Sequence, residues 1–180
     1  MNRIAVISMV KNEEDIVESF IRHSIKFADK IFICDHRSTD QTPKILDSLK
    51  SEGLNLEIST YHRDEKAQAE VTNKLIERAI EDRFDLILPL DADEFPILVN
   101  GNSEDLRQHL QHLDPNFSYR SALWEHRFVE SEKDQNLFAL NRPAIRSKIH
   151  QEVSHTNFKI IAGAKMLQQT GLKISLGNHD

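Results

Sequence analysis

The sequence predicts an α/β fold in which a mostly parallel central sheet is flanked by helices and followed by a partly antiparallel, loop-rich C-terminal half. Apolar runs of strand length alternate strictly with helical patterns over the first half of the 180-residue chain. This alternation is typical of βαβ units with right-handed crossovers. The fourth apolar run, at residues 84–90, stops at a cluster of carboxylates. Beyond residue 100 the alternation ends, and short strand-like runs are separated by glycines.

The first half contains four expected strands and three expected helices. The strands are expected at residues 4–9, 30–34, 54–59 and 84–90. The helices are expected at residues 13–27, from 42 to just before Gly53, and at 64–82. Asn12 is the expected N-cap of the first helix, whose first turn is acidic, and Thr42 with Pro43 opens the second helix. Apolar residues recur at helical spacing, so each helix is expected to pack one face on the sheet.

The second half is expected to be less regular. A helix at residues 103–113 is followed by a turn, and strands are expected at residues 119–128, 144–153 and 158–161. Scattered glycines, including Gly163 and Gly171, predict a loop-rich end. No linker or repeat divides the chain, so a single domain over residues 1–180 is predicted. Residues 177–180 resemble an active-site loop without a closing helix, as in a domain truncated at its C-terminus.

The composition excludes several classes of protein. Apolar residues make up 39% and charged residues 29% of the chain, which is typical of a globular domain. The formal net charge of −6 argues against nucleic acid or an anionic membrane as the main partner. The single cysteine, Cys34, excludes an intrachain disulfide and a multi-cysteine zinc site and is compatible with the cytoplasm. No signal peptide or transmembrane segment is expected, so the sequence predicts a soluble protein.

Three carboxylates, Asp91, Asp93 and Glu94, follow the fourth expected strand. In an extended segment the side chains of Asp91 and Asp93 lie on the same side, and crowding them with Glu94 costs repulsion unless a cation is bound. Mg²⁺ and Mn²⁺ prefer such oxygens and share their coordination with substrate phosphates. A solvated acidic turn is the alternative. The location favours the metal, because open α/β sheets bind ligands at the carboxyl ends of their strands.

Three stretches of the sequence together resemble the family 2 glycosyltransferases, in the order and spacing of that family's motifs. They are Val-Ile-Ser-Met-Val-Lys-Asn-Glu-Glu-Asp at residues 6–15, Cys-Asp-His-Arg-Ser-Thr-Asp-Gln-Thr at 34–42 and Leu-Asp-Ala-Asp-Glu-Phe at 90–95. The resemblance is to the bacterial branch that opens with K-N-E-x-D and has a D-A-D-E-F metal motif. It implies a GT-A fold, with a nucleotide-binding half at residues 1–100 and an acceptor-side half at residues 101–180.

The resemblance also implies which residues bind the nucleotide-sugar donor, which is expected to be UDP-linked. Lys11, Asn12 and Glu13 would border the base or ribose, and Asp35 would accept hydrogen bonds from the base or ribose edge. The alternative for Asp35 is an Asx-turn that caps the next helix. Arg63, just beyond the third expected strand, would contact a phosphate if it is not simply exposed.

For the acidic motif, the resemblance implies a site for Mn²⁺ or Mg²⁺. Asp93 would bind the metal directly, Asp91 would contact the ribose or a water on the metal, and Glu94 would support them. His179, in the C-terminal loop, would complete the coordination of the metal. The metal would stabilise the charge of the departing diphosphate.

The catalytic base is the point at which the sequence departs from the family pattern. Neither the family's Glu-Asp pair nor a Q-x-x-R-W motif follows Phe95. An inverting transfer needs one carboxylate to accept the proton of the acceptor hydroxyl. Glu125, beside Trp124, is the first candidate, with Glu152 and Glu130 as alternatives. Each of these glutamates is otherwise an ordinary strand residue.

The predicted function is metal-dependent, inverting transfer of a sugar from a nucleotide-diphosphate donor to a glycan or lipid-linked acceptor. The absent Glu-Asp pair leaves open a nucleotide-sugar-binding remnant without activity. A haloacid-dehalogenase-type phosphatase also places D-x-D after a buried strand. That class prefers Thr or Val where this sequence has Phe95, and its motif usually opens the domain.

Overall fold

The computed structural model describes residues 1–63, 68–98, 103–122 and 158–174. Its strands are β1 (Ile4–Val10), β2 (Lys30–Asp35), β3 (Leu56–Thr60), β4 (Leu86–Pro89), β5 (Tyr119–Ala122) and β6 (Phe158–Gly163). Its helices are α1 (Val17–Ser24), α2 (Thr42–Ser51), α3 (Gln68–Glu81), α4 (Ser103–Gln111) and α5 (Ala164–Thr170).

The six strands form one sheet in the order β3-β2-β1-β4-β6-β5. β1 pairs in parallel with both β2 and β4, and β2 pairs in parallel with β3. β6 runs antiparallel to β4 and to β5. The predicted mixed sheet, mostly parallel with an antiparallel part from the second half, is therefore confirmed.

The sheet is buried on both faces because its strand side chains alternate between two apolar layers. On β1, the side chains of Ile4 and Val6 pack on one side, whereas those of Ala5 and Ile7 pack on the other. Helices α1, α2 and α4 cover the first face, and α3 and α5 cover the second. The continuous apolar strands in the sequence follow from this double burial.

Helix α1 begins later than the sequence suggests. It starts at Val17 rather than at residue 13, and the backbone amides of Ile16 and Val17 close a turn on the carbonyl of Glu13. Asn12 is therefore not the N-cap, because its side chain accepts a hydrogen bond from the Thr39 amide 27 residues away. By contrast, Gly53 ends α2 as expected, with a φ of +91°.

The loop-rich end expected around Gly163 and Gly171 contains a helix. α5 begins directly after Gly163 and ends at Gly171, whose φ of 66° is left-handed. Leu167 is buried against the α3 side of the sheet. This seven-residue helix is too short for a helical period to stand out in the sequence. In the part of the chain that the structure describes, no helix is long and apolar enough to cross a bilayer.

Candidate functional site

The strand order reverses direction between β1 and β4, and the candidate site lies at that reversal. From β1 the chain moves outward through β2 to β3, and it then returns to place β4 on the other side of β1. At such a switch point the loops after the two strands diverge and leave a crevice at the carboxyl edge of the sheet. Residues 11–16 leave β1 at this edge, and residues 90–98 leave β4 there.

The acidic loop after β4 is a compact turn, which we define as residues Asp91–Pro96. The amide of Glu94 donates to the carbonyl of Asp91 at 3.0 Å, and the Glu94 carboxylate accepts from the amide of Asp91, also at 3.0 Å. The Asp93 side chain is exposed, and among the described residues its carboxylate has no hydrogen bond or ion pair. The turn thus directs the Glu94 carboxylate back to the Asp91 amide and leaves the Asp93 side chain exposed to solvent.

Aromatic packing fixes the far end of the acidic loop. The Phe95 ring packs edge-on against Phe20 and His23 of α1, with ring centroids 6.5 and 5.4 Å away. The Nε2 atom of His23 lies 2.7 Å from the Pro96 carbonyl oxygen. These contacts attach the acidic loop to α1, the helix that follows β1. The segment after β4 and the segment after β1 are therefore fixed relative to each other.

A buried lysine neutralises part of the acidic loop. The Nζ atom of Lys159, on β6, lies 2.8 Å from Asp91 Oδ2 and 3.2 Å from Glu94 Oε1. Only 4% of the Lys159 side chain is exposed, against 41% for Asp91. β6 runs antiparallel to β4, which brings Lys159 to the point where the acidic loop leaves the sheet. A buried ammonium requires such carboxylate partners, because an unpaired charge there is strongly disfavoured.

Glu94 is the less exposed of the two carboxylates in this ion-pair cluster, with 18% of its side chain exposed against 41% for Asp91. Burial raises the pKa of the Glu94 carboxyl above its ordinary value, and the nearby Asp91 charge adds to the rise. The Asp91 amide and the Lys159 ammonium oppose it. The Lys159 contact therefore helps to keep a buried carboxylate ionised next to a second carboxylate.

The loop after β1 is fastened to the loop after β2 by side-chain bonds to backbone amides. Asn12 has a φ of 56°, its amide donates to Ser38 Oγ, and its Oδ1 accepts from the Thr39 amide, both at 2.8 Å. The Glu13 amide donates to Thr42 Oγ1 at 2.8 Å. Asn12 is thus occupied in holding the loops together, and the left-handed conformation it adopts is one that Asn tolerates well.

Glu13 belongs to the same negative region as the acidic loop. Partial burial raises the pKa of the Glu13 carboxyl, and the charges of Asp15, Asp93, Asp40 and Asp91 raise it further. The structure therefore brings together three of the residues singled out in the sequence, Glu13, Asp91 and Asp93, although 78 residues separate Glu13 from Asp91.

Asp35 lies at the carboxyl end of β2 and is buried, with 6% of its surface exposed. Its two carboxylate oxygens each lie 3.3 Å from the Ser38 amide, which is the arrangement of the Asx-turn alternative. These contacts are long and leave capacity for further donors on the carboxylate. Arg63 is exposed, and its backbone carbonyl oxygen lies 2.9 Å from His36 Nε2. Lys11 is also exposed.

Among the described residues, no group of three or more His, Cys, Asp or Glu side chains is arranged to hold a metal ion. The available donors nevertheless suit Mg²⁺ or Mn²⁺, which often bind one or two carboxylates and take their other ligands from phosphates and water. Asp93 is exposed and uncommitted in that part of the chain, and Asp91 Oδ1 has only a 3.4 Å contact from Gln68. The donor set therefore fits a metal that arrives with a phosphorylated ligand.

Three of the predicted site residues, Glu125, Glu152 and His179, lie outside the described residues, as do Trp124 and Glu130. Two residues in the site region were not expected from the sequence. His23 was one of nine histidines, with nothing local to distinguish it. Lys159 interrupts the apolar segment Phe158–Ile161, and a lone lysine in a buried strand is a signal that could have been used.

The model of glycosyl transferase family 2 matches residues 5–97, which is more than half of the chain. No curated protein matches the chain in sequence. The matched range contains all three of the stretches that suggested this family, and it gives no support to the phosphatase alternative.

The solved structures to which the chain is similar include the following three proteins. The 4-diphosphocytidyl-2C-methyl-D-erythritol synthase of Anaerococcus prevotii is 11% identical, with coverage of 98% of this chain and 78% of that chain and a TM-score of 0.51. A Pyrobaculum calidifontis mannosyltransferase in complex with GDP-Man and Mn²⁺ is 20% identical (59% and 32% coverage, TM-score 0.47). Glucosyl-3-phosphoglycerate synthase from Mycobacterium tuberculosis, with Mn²⁺ and UDP, is 23% identical (51% and 34% coverage, TM-score 0.34).

The similarity to these two glycosyltransferases covers only about a third of each of their chains. The mixed six-stranded sheet, with its parallel β3-β2-β1-β4 portion and antiparallel β6, is a GT-A fold. On the match of the family model to residues 5–97, the chain belongs to glycosyl transferase family 2.

Proposed function

We propose that this protein transfers a sugar from a nucleotide-diphosphate donor, most simply a UDP-sugar, to a hydroxyl group of a glycan or lipid-linked acceptor. The observation that carries the proposal is the meeting of the β1 loop and the acidic loop at the strand-order reversal. There, in addition to burial, the charges of Asp93 and Asp91 help to raise the pKa of the Glu13 carboxyl. A crevice at this position is where open α/β sheets bind nucleotides.

Each side of the crevice has a proposed part in donor binding. Asp35, buried at the end of β2, has the acceptor capacity to bind ribose hydroxyls or a base N–H group. Lys11, Asn12 and Glu13 border the nucleoside from the β1 loop. On the other side, exposed Asp93, with Asp91 beside it, would hold Mn²⁺ or Mg²⁺ together with the diphosphate oxygens. We retain His179 as a further metal ligand and Arg63 as a phosphate contact.

The proposed reaction is a direct displacement with inversion. A carboxylate base, for which Glu125 and Glu152 remain the candidates, takes the proton of the acceptor hydroxyl. The acceptor oxygen then forms a bond to the anomeric carbon, and the bond between that carbon and the diphosphate oxygen breaks. The metal, when bound, supplies positive charge to the leaving diphosphate. The backbone of the acidic loop is fixed by the hydrogen bonds between Asp91 and Glu94, which leaves the exposed Asp93 carboxylate available to that metal.

Calorimetric titration with UDP and GDP, with and without Mn²⁺, tests the donor-binding part of the proposal. We expect UDP to bind only in the presence of Mn²⁺, and Asp93→Asn to weaken that binding by about tenfold or more. Asp47→Asn on α2 is the matched control, because Asp47 is also exposed and the change of charge is the same. If neither nucleotide binds the wild-type protein with the metal present, the proposal is wrong.

A glycosyl-transfer assay then separates the enzyme from the binding remnant. Release of UDP from UDP-sugars in the presence of a range of acceptor glycans supports the transferase. Binding of UDP with Mn²⁺ but without turnover on any donor and acceptor would instead support the remnant, for which the missing Glu-Asp pair is the sequence argument. Glu125→Gln and Glu152→Gln, tested separately, identify the base by loss of kcat with nucleotide affinity unchanged.

A further inference from the structure

We propose that Lys159 is a built-in counter-ion that makes binding of the divalent metal depend on the nucleotide diphosphate. The inference rests on the proposed function, because it concerns the same metal and the same nucleotide. It starts from the position of the Lys159 ammonium, 2.8 Å from Asp91 and 3.2 Å from Glu94. A cation belonging to the chain thus already lies between two of the three carboxylates of the acidic loop.

The first step of the argument concerns the carboxylates available to a metal. Divalent cations bind more tightly as more anionic ligands converge on them. With Lys159 in place, Asp91 Oδ2 and Glu94 Oε1 are both engaged by the ammonium. Asp93 is then the carboxylate of the loop that has no cationic partner among the described residues. A metal approaching the protein alone would meet one carboxylate without a cationic partner and the repulsion of a fixed positive charge.

The second step concerns what a nucleotide adds. A diphosphate brings oxygen ligands and negative charge to the same crevice, and both favour the metal. The diphosphate oxygens therefore replace, as metal ligands, the Asp91 and Glu94 oxygens that are occupied by the Lys159 ammonium. Because binding free energies are reciprocal, metal and nucleotide each raise the affinity of the protein for the other. The protein would hold the metal firmly only as a metal–nucleotide complex.

The third step concerns how Lys159 acts. Its side chain is 4% exposed and comes from β6, behind the acidic loop, so the ammonium acts on a ligand through Asp91 and Glu94 rather than by direct contact. Lys159 is therefore a positioning residue. It also fixes the direction of the Asp91 carboxylate, whose other oxygen faces Gln68.

Titration of Mn²⁺ into the protein, followed by the electron paramagnetic resonance signal of the free ion, measures the affinity directly. For wild type without nucleotide we expect weak binding. Lys159→Met replaces the ammonium with an apolar chain of similar length and frees two carboxylates, so we expect Mn²⁺ affinity to rise by about tenfold or more. With UDP present, the additional gain in Mn²⁺ affinity should be smaller in Lys159→Met than in wild type. Lys159→Arg retains the charge and is expected to resemble wild type.

Lys30→Met is the matched control. The Lys30 side chain is 17% exposed, and its Nζ atom also bridges two carboxylates, those of Glu57 and Asp82, each at 2.7 Å. It lies at the amino end of β2, on the opposite edge of the sheet from the acidic loop. An unchanged or weaker Mn²⁺ affinity in folded Lys159→Met overturns the proposal, as does an equal gain in Lys30→Met, which would show a general effect of net charge.

A second variant decides the question if Lys159→Met fails to fold. Combining Lys159→Met with Glu94→Gln removes the buried carboxylate charge together with its partner, while the amide oxygen can still accept from Asp91. Asp91 is then freed alone, so a smaller gain in Mn²⁺ affinity is expected, and no gain overturns the proposal. The titrations without nucleotide test Lys159 by themselves. Failure of wild type to bind UDP with Mn²⁺ would instead overturn the proposed function.

Discussion

The Nε2 atom of His23 lies 2.7 Å from the carbonyl oxygen of Pro96, so the imidazole N–H attaches the acidic loop to α1. The imidazole is buried, and burial lowers the pKa of His23 below its ordinary value of 6.5, an effect that the Pro96 carbonyl opposes. The neutral ring both fits its apolar site against Phe95 and donates the hydrogen bond. This one contact joins the two sides of the crevice.

The first prediction concerns the pH dependence that follows from His23. Because its pKa is lower in the folded protein, the unfolded chain binds more protons below about pH 6.5, and stability falls as the pH decreases. The slope contributed by His23 is at most about 1.4 kcal/mol per pH unit. Urea denaturation between pH 7.5 and 5.5 measures it. His23→Phe should flatten the dependence and lower stability at pH 7.5 by about 1–2 kcal/mol, through loss of the hydrogen bond.

His109→Phe is the control for this prediction, since His109 is exposed on α4. An unchanged slope in His23→Phe would mean that the pKa of His23 is the same in the folded and the unfolded protein, contrary to the prediction.

The second prediction concerns the left-handed residue of the β1 loop. Asn12→Ala replaces a residue that tolerates a φ of 56° with one that tolerates it poorly, and it removes the acceptor of the Thr39 amide, so we expect a loss of about 2 kcal/mol. Asn12→Gly relieves the backbone strain but still loses the acceptor. Asn12→Asp keeps an oxygen in place and should be the mildest change. Chemical denaturation should rank the variants Asp, Gly and Ala in order of decreasing stability, and an Ala variant as stable as Gly would contradict the strain argument.

The third prediction concerns the electrostatic repulsion between the carboxylates of Glu13 and Asp93. A raised pKa means that ionised Glu13 destabilises the fold, and this cost appears as the pH rises through 4.5 and above. Glu13→Gln is therefore expected to stabilise the protein at neutral pH, and the gain should vanish near pH 4. In an Asp93→Asn background the gain should be smaller, because one source of repulsion is gone.

A double-mutant cycle of Glu13→Gln and Asp93→Asn, followed by thermal denaturation, measures this coupling directly. Glu77→Gln, on the exposed side of α3, is the control and should show no coupling to Asp93. Additive effects of the first pair would show that the two loops are too far apart to interact.

The fourth prediction concerns Gly163, where β6 meets α5. A β-carbon at this position would collide with the backbone carbonyl oxygens of Phe117 and Pro115, which cannot swing away as a side chain could. Gly163→Ala is therefore expected to cost about 3 kcal/mol in the free energy of unfolding. Gly171→Ala, with open space around it but a φ of +66°, should cost about 1 kcal/mol. Equal losses in urea denaturation would contradict the close contact.

The order of the first four strands and three helices was predictable because each has a strong local pattern. Apolar runs of strand length and helical stripes with Pro43 and Gly53 at their ends depend on nearby residues alone. Helix α5 was not predictable in this way. It is seven residues long, and its burial depends on contact with α3 and the sheet, which are distant in sequence.

In the candidate site, too, the residues with a local sequence pattern could be predicted, whereas contacts between distant residues could not. Asp35 and Asp91 could be singled out because each directly follows an apolar run, and Asp93 because it lies two residues after Asp91; the parallel sheet then brings these strand ends to one edge. The partners of these acids could not be identified from local patterns. The Thr39–Asn12 contact joins residues 27 positions apart, and the Lys159–Asp91 contact joins residues 68 positions apart. Both contacts depend on how the loops and strands pair in three dimensions.

The pairing of β4 with β6 has a consequence for the order in which the chain is synthesised. A nascent chain that has emerged as far as residue 98 contains all the elements of the matched range, yet its acidic loop still lacks Lys159. Glu94, which lies 3.2 Å from the Lys159 ammonium in the longer chain, would then lack this cation. The first 98 residues therefore reach their final stability only after β6 has left the ribosome and docked, so a fragment cut at the family boundary is a poor substitute for the longer chain.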